Sequence, residues 1–273
     1  EAIYSLSAAT AGTLWAVGFQ GTVLRRSGTT WEPIRSEATS SLYGVFSPSE
    51  EQAYVIGFDA LGSTLSLCAN RVCSVIEKPK LGVEYAAIHG VDAETFWVVG
   101  KAGVVKTWSM KGGSLVDDAS TLGGSAALNQ VFALDATHVY AVGEQGLVAV
   151  RGSAGWAADG SAPTGRQNLQ AVWASATSDL WVGGSNGFVA HFDGSAWSTM
   201  SSGVSETISS IAGTSPTDVW AVTLQGTVLR YNGQSFAIVS RDELPRLHAI
   251  VSKGGHLYLS GALGTILHRS PTE

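Results

Sequence analysis

Short apolar runs alternate with polar turns along the whole chain, and one of these runs recurs seven times. The recurring run is an aromatic residue followed by small apolar residues and, in most copies, by glycine. Its aromatic residues are Trp15, Tyr54, Trp97, Tyr140, Trp181, Trp220 and Tyr258, at intervals of 38 to 43 residues. No stretch sustains a helical period, and the 33 glycines argue against long helices. The pattern therefore predicts a repeat protein built from short strands.

Each repeat contains four strand-like pieces in the same order. An apolar run such as 169–173 is followed by the aromatic run, by a third run that begins at a glycine such as Gly187, and by a fourth run. Asp193-Gly194 and Asn232-Gly233 precede the fourth run and are strong hairpin signals, because such turns need positive φ at both central residues. Four-stranded units of this kind bury both faces by stacking around a ring. We predict an all-β, seven-bladed β-propeller of four-stranded antiparallel blades.

The repeats account for nearly all of the 273 residues, which favours one propeller domain. The approximate blades are residues 1–41, 42–84, 85–127, 128–168, 169–207, 208–246 and 247–273. The last range has signals for three strands, and neither terminus supplies a spare one. Two alternatives follow: a three-stranded last blade, or a chain cut from a longer protein whose missing strand lies upstream. A first residue that is Glu and not Met favours removal of a signal peptide or another segment.

Composition and charge narrow the class of partner. The net charge is −6, and the 16 Lys and Arg residues are scattered singly, so no basic face for nucleic acid is indicated. No apolar stretch approaches the roughly 20 residues that span a bilayer. The charged fraction of 14% is low and resembles that of extracytoplasmic bacterial proteins.

The two cysteines lie close together in the second repeat. If Asn70-Arg71 forms a two-residue hairpin loop, Cys68 lies directly opposite Cys73 in a non-hydrogen-bonded pair, where antiparallel strands approach most closely. A disulfide can bridge that distance. The alternative is two reduced, half-buried thiols; a zinc site lacks a second Cys or His pair at ligand spacing. A disulfide indicates an oxidising compartment, so we expect a periplasmic, outer-surface or secreted protein.

Two consecutive segments carry a family resemblance. They are 218–222, Asp-Val-Trp-Ala-Val, and 225–233, Gln-Gly-Thr-Val-Leu-Arg-Tyr-Asn-Gly. They resemble the W-x-V-G repeats of secreted bacterial propellers, notably of myxobacteria, which are similar to photosystem II assembly-factor-like propellers and distantly to the Asp-box repeats of sialidases. Residues 29–31 match the end of an Asp box, but Arg26 stands at its aspartate position. The resemblance implies the fold over almost the whole chain, while binding scaffolds, lectins and enzymes all occur on such propellers.

One end of the ring is the first candidate for binding. In a four-stranded meander the connections between strands 2 and 3 emerge there, together with the longer loops between blades, and functional residues concentrate on such loops. An amide precedes the turn glycine in four repeats, and these candidate ligand-binding residues are Gln20, Gln145, Asn186 and Gln225. Amides donate to and accept from sugar hydroxyls or a peptide backbone. The alternative is that a polar residue before glycine simply makes a good turn.

A second candidate site is the mouth of the central channel. The residue after the leading apolar position of each first strand is polar in five repeats, and these are Tyr4, Tyr43, Asn129, Gln170 and His248. If that position faces the channel, the five form an uneven polar ring suited to a single central ligand. The alternative is that they fill the channel and hold ordered water.

The nine tryptophans invite a lectin interpretation, because sugars stack on aromatic faces. Seven of them lie at repeated core positions and are predicted to pack within the blades. They are Trp15, Trp97, Trp181 and Trp220 on second strands, and Trp31, Trp156 and Trp197 on fourth strands. Trp108 and Trp173 depart from the repeat and are the candidate surface aromatic residues.

The sequence contains no motif of a catalytic, cofactor or metal site. The carboxylate pairs Asp117-Asp118 and Asp242-Glu243 lie in loops of different blades, and only their meeting across the channel would support a sialidase-like or lyase-like enzyme. We therefore expect a non-catalytic propeller that binds a protein or peptide partner, as a monomer or as a module of a larger protein. A carbohydrate-binding propeller is the alternative. No cofactor and no nucleic acid partner are expected.

Overall fold

The structure is a computed structural model that describes residues 1–9, 13–80, 82–109, 111–118, 122, 124–241 and 243–271, with the backbone alone at residues 59 and 78–80. Within these residues, 28 strands form seven sheets, which we number 1 to 7 in chain order. Sheets 1 and 2 contain β1 (Ile3–Ala8), β2 (Leu14–Gly18), β3 (Val23–Ser27), β4 (Thr30–Pro33), β5 (Arg35–Ser36), β6 (Ser41–Phe46), β7 (Gln52–Asp59), β8 (Gly62–Ala69) and β9 (Val72–Lys80).

Sheets 3 and 4 contain β10 (Tyr85–Gly90), β11 (Phe96–Gly100), β12 (Val105–Ser109), β13 (Ser114–Asp117), β14 (Leu128–Ala133), β15 (Val139–Gly143), β16 (Val148–Gly152) and β17 (Gly155–Ala158). Sheets 5 to 7 contain β18 (Leu169–Ala176), β19 (Asp179–Gly184), β20 (Val189–Phe192), β21 (Trp197–Met200), β22 (Ile208–Ser215), β23 (Asp218–Thr223), β24 (Val228–Tyr231), β25 (Phe236–Ser240), β26 (Leu247–Lys253), β27 (His256–Gly261) and β28 (Ile266–Arg269). Five 3-10 turns follow second strands: Phe19–Gly21, Lys101–Gly103, Glu144–Gly146, Ser185–Gly187 and Ala262–Gly264.

The sheets are arranged in a closed ring. Each first strand packs against the first strands of both neighbouring sheets, and β1 contacts both β6 and β26. The core lies between adjacent sheets and not inside any one of them. Trp15 and Val17 of sheet 1, for example, share a buried cluster with Leu42 and Val55 of sheet 2. The predicted seven-bladed propeller of four-stranded antiparallel blades is confirmed, and the seven first strands line its central channel.

The repeated tryptophans of the second strands form this core. Trp15, Trp97 and Trp181 are almost completely buried. Two of the repeats place an aspartate two residues before the tryptophan, where its carboxylate accepts the indole N–H: Trp181 Nε1 donates to Asp179 at 3.0 Å and Trp220 Nε1 to Asp218 at 3.1 Å. The aspartate two residues before the tryptophan therefore satisfies a buried donor, which would be costly to leave unpaired.

Sheet 2 contains the disulfide that the cysteine spacing predicted. Cys68 and Cys73 are register partners on β8 and β9, with their Cα atoms 3.8 Å apart, and the bond is formed. Asn70 and Arg71 make the two-residue turn between them, with φ of 51° and 64°. One feature of sheet 2 was not predicted, because β5, from the loop after sheet 1, pairs in parallel with β9 as a fifth strand.

This disulfide leads to a chemical prediction. In non-reduced, denatured protein we expect no alkylatable thiol, and reduction is expected to lower the free energy of unfolding by about 2 kcal/mol, because the bond closes only a short loop. Denaturant titrations with and without a reductant measure the difference. The double variant Cys68→Ser/Cys73→Ser is the control and should not respond to the reductant. Two alkylatable thiols in the untreated protein would contradict the assignment.

The last sheet has three strands, β26 to β28, in agreement with the predicted alternative of a three-stranded last blade. Its outer strand leaves Leu267 36% exposed. The equivalent residues of sheets 4, 5 and 6 are Ala149, Ala190 and Leu229. All three are fully buried, and in each of these sheets a fourth strand pairs with the third. Among the described residues, no helix has the length and apolar character needed to cross a bilayer.

Candidate functional site

A bulge near the start of every first strand sets one residue per sheet apart from the pairing with the second strand. In all seven sheets the register between first and second strand shifts by one residue at this point. The unpaired residues are Tyr4, Tyr43, Ala86, Asn129, Gln170, Ser209 and His248, which include the five predicted channel-mouth residues. A β-bulge redirects the side chain of its extra residue. The repeat thus presents one freely variable side chain per sheet at the same height of the ring.

Three of these side chains form an aromatic group on sheets 7, 1 and 2. The Tyr4 and Tyr43 rings are stacked with centroids 5.2 Å apart, and His248 meets the Tyr4 ring edge-on at 5.3 Å. Tyr43 remains 42% exposed. Burial, and then the nearby Arg246 guanidinium, hold the pKa of His248 below its usual value, which favours the neutral imidazole. The group offers an uncharged aromatic surface at the mouth.

Two other bulge residues form an amide group on sheets 4 and 5. Asn129 Nδ2 donates at 2.8 Å to Asn168 Oδ1 and to the Leu169 carbonyl, which joins the two sheets. Gln170 Nε2 donates to the same Asn168 oxygen at 3.1 Å. Among the described residues, the side-chain oxygens of Asn129 and Gln170 have no donor. Sequence reasoning missed Asn168, whose only signal is its position two residues before a bulge.

The recurring amides between second and third strands follow from the backbone conformation of their turns. Gln20, Gln145 and Asn186 are exposed central residues of 3-10 turns, where φ is 50° to 58°. Ala102 and Leu263 hold the same conformation in the equivalent turns. The position therefore requires a left-handed backbone and not an amide side chain.

Gln225 and Asn186 differ from the rest of that set. Gln225 is exposed but lies in a turn without the 3-10 conformation, where Gly226 takes the positive φ of 94°. Asn186 borders an open depression of about 730 Å³, together with Ser202, Glu206 and Arg241. The structure thus keeps the four amides on separate blades and does not bring them into one site.

The prediction that Trp108 and Trp173 are surface aromatic residues is wrong for Trp173, while Trp108 is partly exposed. Trp173 is 9% exposed, and its indole fills the space above Gly213 of the next sheet, where a Cβ atom would lie 2.4 Å from the ring. Trp108 is half-buried and stacks on Phe96 with ring centroids 5.3 Å apart. Trp173 is therefore not a surface residue, and the Trp108 ring is covered on one face by Phe96.

Of the two carboxylate pairs considered for catalysis, Asp117-Asp118 is engaged in contacts with neighbouring side chains. Asp117 accepts from Lys106 Nζ at 2.7 Å. Asp118 accepts from Trp97 Nε1, Trp156 Nε1 and Arg151 Nε at 3.0 to 3.1 Å. Glu243 is exposed, and Asp242 lies outside the described residues. Within the described part of the chain, no group of three or more His, Cys, Asp or Glu side chains could hold a metal ion.

Comparisons with known proteins give a match at the level of the fold. No family model and no curated protein matches the chain. Among solved structures, YCF48 bound to D1 peptide is 16% identical and has a TM-score of 0.78, with 98% of this chain and 93% of that chain covered. YCF48 from Cyanidioschyzon merolae is 17% identical with a TM-score of 0.78, with 100% of this chain and 96% of that chain covered. The similarity supports the resemblance to photosystem II assembly-factor-like propellers as far as the fold is concerned.

Proposed function

We propose that this protein is a non-catalytic binding propeller that takes an extended peptide segment of a partner protein across the mouth of its channel. The observation that carries the proposal is the uneven distribution of the seven bulge residues. Aromatic side chains occupy sheets 7, 1 and 2, while amides occupy sheets 4 and 5 on the far side of the ring. A ligand whose chemistry differs along its length fits this uneven ring better than a symmetric ligand does.

The chemistry of the two groups suits a peptide. The exposed Tyr43 ring provides apolar surface for a side chain at little cost in conformational entropy, which is why tyrosine is frequent in binding sites. Across the channel, the side-chain oxygens of Asn129 and Gln170 have no donor among the described residues and can accept backbone N–H groups. The Asn129–Asn168 hydrogen bond holds these acceptors in place before the ligand arrives, which lowers the entropy lost on binding.

Two further observations support a peptide ligand and an extracytoplasmic location. One of the structurally similar propellers is a complex with D1 peptide, so a propeller of this shape can carry a bound peptide. The Cys68–Cys73 disulfide favours an oxidising, extracytoplasmic compartment, whether periplasmic, outer-surface or secreted. The protein acts there as a monomer or as a module of a larger protein.

A repeat lectin has less support. Such a protein would present the same polar and aromatic side chains at equivalent loops of most blades. The recurring amides share their turn conformation with Ala102 and Leu263, and the two tryptophans that seemed available for sugar stacking are packed against other residues. No observation of this structure favours glycan binding over peptide binding.

Peptide selection tests the proposal. Random peptides of about twelve residues displayed on phage should yield binders to the wild-type protein. For a selected peptide, Tyr43→Ala is expected to weaken binding at least about tenfold, and Gln170→Ala several-fold, because they remove the exposed ring and a free acceptor. Isothermal titration calorimetry measures both. Gln145→Ala changes an amide at a turn outside the ring of bulges and is the matched control. A selection without binders, or equal losses in all three variants, would contradict the proposal.

A further inference from the structure

The channel contains a cavity along the later halves of the first strands, below the bulge residues. It has a volume of about 360 Å³, and residues of all seven first strands line it. This volume lies in the range of small-molecule sites. The bulge residues do not line this cavity, so it is separate from the proposed peptide site.

The wall of this cavity is aromatic on one side only. Sheets 2 to 5 contribute Phe46, His89, Phe132 and Trp173. The His89 ring lies 5.8 Å from Phe46 and is stacked on Phe132 at 4.8 Å, measured between centroids. Sheets 6, 7 and 1 contribute smaller residues and one cation, Lys253. A ligand would therefore meet flat apolar surface on one wall and positive charge on the other.

The serine hydroxyls along the cavity are already used in contacts between sheets. Ser7 Oγ accepts the Ser47 N–H at 2.9 Å, and Ser210 Oγ accepts the Ile250 N–H at 3.2 Å. Ser252 Oγ donates to the Gly213 carbonyl. Because these groups hold neighbouring first strands together, they do not determine which ligand the cavity takes.

His89 supplies a donor that the described residues leave without an acceptor. Its Nδ1 accepts the Ala133 N–H at 3.0 Å, so the ring proton of the neutral imidazole is on Nε2. Burial lowers the pKa of His89 to about 4, which keeps the ring neutral at physiological pH. The side chain is half-buried because part of it faces the cavity.

Lys253 is the second group without a partner. Its side chain is half-buried on the cavity wall, and no carboxylate of the described residues forms an ion pair with it. Both groups are donors, and the described residues of the cavity wall include no carboxylate. The complementary ligand is anionic at one end, apolar in the middle, and carries an acceptor at its other end.

We propose that this cavity binds a small aromatic acid with an oxygen substituent on its ring. The carboxylate pairs with the Lys253 ammonium group, the ring packs against Phe132 and Trp173, and the ring oxygen accepts from His89 Nε2–H. A carboxylate in a site of this kind forms a charge-assisted hydrogen bond, which is stronger than one between neutral groups.

A matched set of probes tests each contact by isothermal titration calorimetry. We expect 4-hydroxyphenylacetate to bind with a stoichiometry of one. Tyramine keeps the hydroxylated ring but replaces the carboxylate by an ammonium group, and it should not bind. Phenylacetate lacks the ring oxygen and should bind several-fold more weakly than 4-hydroxyphenylacetate.

Three variants assign the contacts to residues. Lys253→Met should weaken 4-hydroxyphenylacetate binding at least about tenfold, because it removes the one Lys or Arg side chain among the described residues of the wall. Lys101→Met, on the opposite end of the ring, is the control and should leave the affinity unchanged. In His89→Phe the difference between 4-hydroxyphenylacetate and phenylacetate should disappear, a comparison that does not depend on a small change in stability.

Several results would overturn this inference. They are the absence of binding by every aromatic acid, equal binding of tyramine and 4-hydroxyphenylacetate, and an unchanged affinity in Lys253→Met. Tyr43→Ala, at the mouth of the channel, separates this site from the proposed peptide site. It should retain aromatic acid binding even where it abolishes peptide binding.

Discussion

Replacing Gly143 by alanine is expected to lower the free energy of unfolding by about 3 kcal/mol, near the upper end of the usual cost of overpacking a core. Gly143 ends β15, and a Cβ atom there would lie 1.9 Å from the Ala127 carbonyl oxygen. That oxygen also accepts the Glu144 N–H at 2.9 Å, so it cannot move without breaking a hydrogen bond. The φ of Gly143 is −165°, which any residue adopts, so the cost is steric alone.

Urea denaturation measures this effect. Gly152→Ala is the matched control, since Gly152 is also a strand residue of sheet 4 and has open space where its Cβ atom would be. The control should be as stable as the wild type or slightly more stable, because alanine restricts the unfolded chain. Equal unfolding midpoints for the two variants would show that the close approach at Gly143 does not limit the fold.

The same close approach explains why glycine recurs in the repeat. At the ends of second strands in five sheets, a Cβ atom would lie 1.9 to 2.4 Å from the carbonyl oxygen that precedes the first strand. These residues are Gly18, Gly100, Gly143, Gly184 and Gly261. The glycine thus permits the first strand to start directly against the second, next to the bulge that presents the channel-mouth side chain.

Replacing Asp179 by alanine is expected to destabilise the propeller by a similar amount, about 3 kcal/mol, because three buried or half-buried donors lose their acceptor. Asp179 is 6% exposed. Its carboxylate accepts from Trp181 Nε1 at 3.0 Å, from His191 at 2.6 Å and from the Ser175 hydroxyl. The His191 ring also stacks on the Trp181 indole, with centroids 4.0 Å apart.

The same contacts make stability depend on pH. Burial by itself raises the pKa of Asp179, but the hydrogen bonds from His191, Ser175 and Trp181 together outweigh it and hold the pKa below the usual 3.8. Asp218, bonded to Trp220 and Arg230, is shifted in the same direction for the same balance of causes. A carboxyl group with a lowered folded-state pKa stabilises the protein above its unfolded pKa. That contribution is lost as the pH falls through the folded pKa. We therefore expect the melting temperature to decrease once the pH is lowered below about 4.

Thermal unfolding from pH 7 to pH 3 checks both statements. Asp179→Ala should melt well below the wild type at pH 7 and show a smaller decrease on acidification. Glu144→Ala removes an exposed carboxylate of a turn and should follow the wild-type curve. A variant Asp179→Ala with wild-type stability at pH 7 would contradict the role given to the repeated aspartate.

The strand pattern of the sequence was sufficient to predict the ring, because each repeat contains its own turn signals and its own core aromatic residue. The disulfide was also predictable, since a two-residue loop between Cys68 and Cys73 fixes which residues face each other. The burial of Trp173 was not predictable from the sequence, because it depends on Gly213 in the next repeat. The absence of a side chain on Gly213 leaves room for the indole. Contacts between sheets are not encoded within one repeat.

The candidate site shows the same limit. Aligning the repeats identified the five polar positions on the first strands, but the bulges that set those residues apart follow from pairing between strands. The division into an aromatic and an amide group depends on which sheets are neighbours once the ring closes. The cavity beside His89 was not predicted, because its walls come from all seven repeats.

Hydrogen exchange of the wild-type protein, with and without a phage-selected peptide, tests the central claim most directly. If the peptide lies across the ring of bulge residues, amide exchange should slow at the beginnings of β1, β6, β14, β18 and β26. It should remain unchanged in the outer strands and at the turns between second and third strands. Protection confined to those outer strands or turns, with none at the five first strands, would contradict a binding site at the channel mouth.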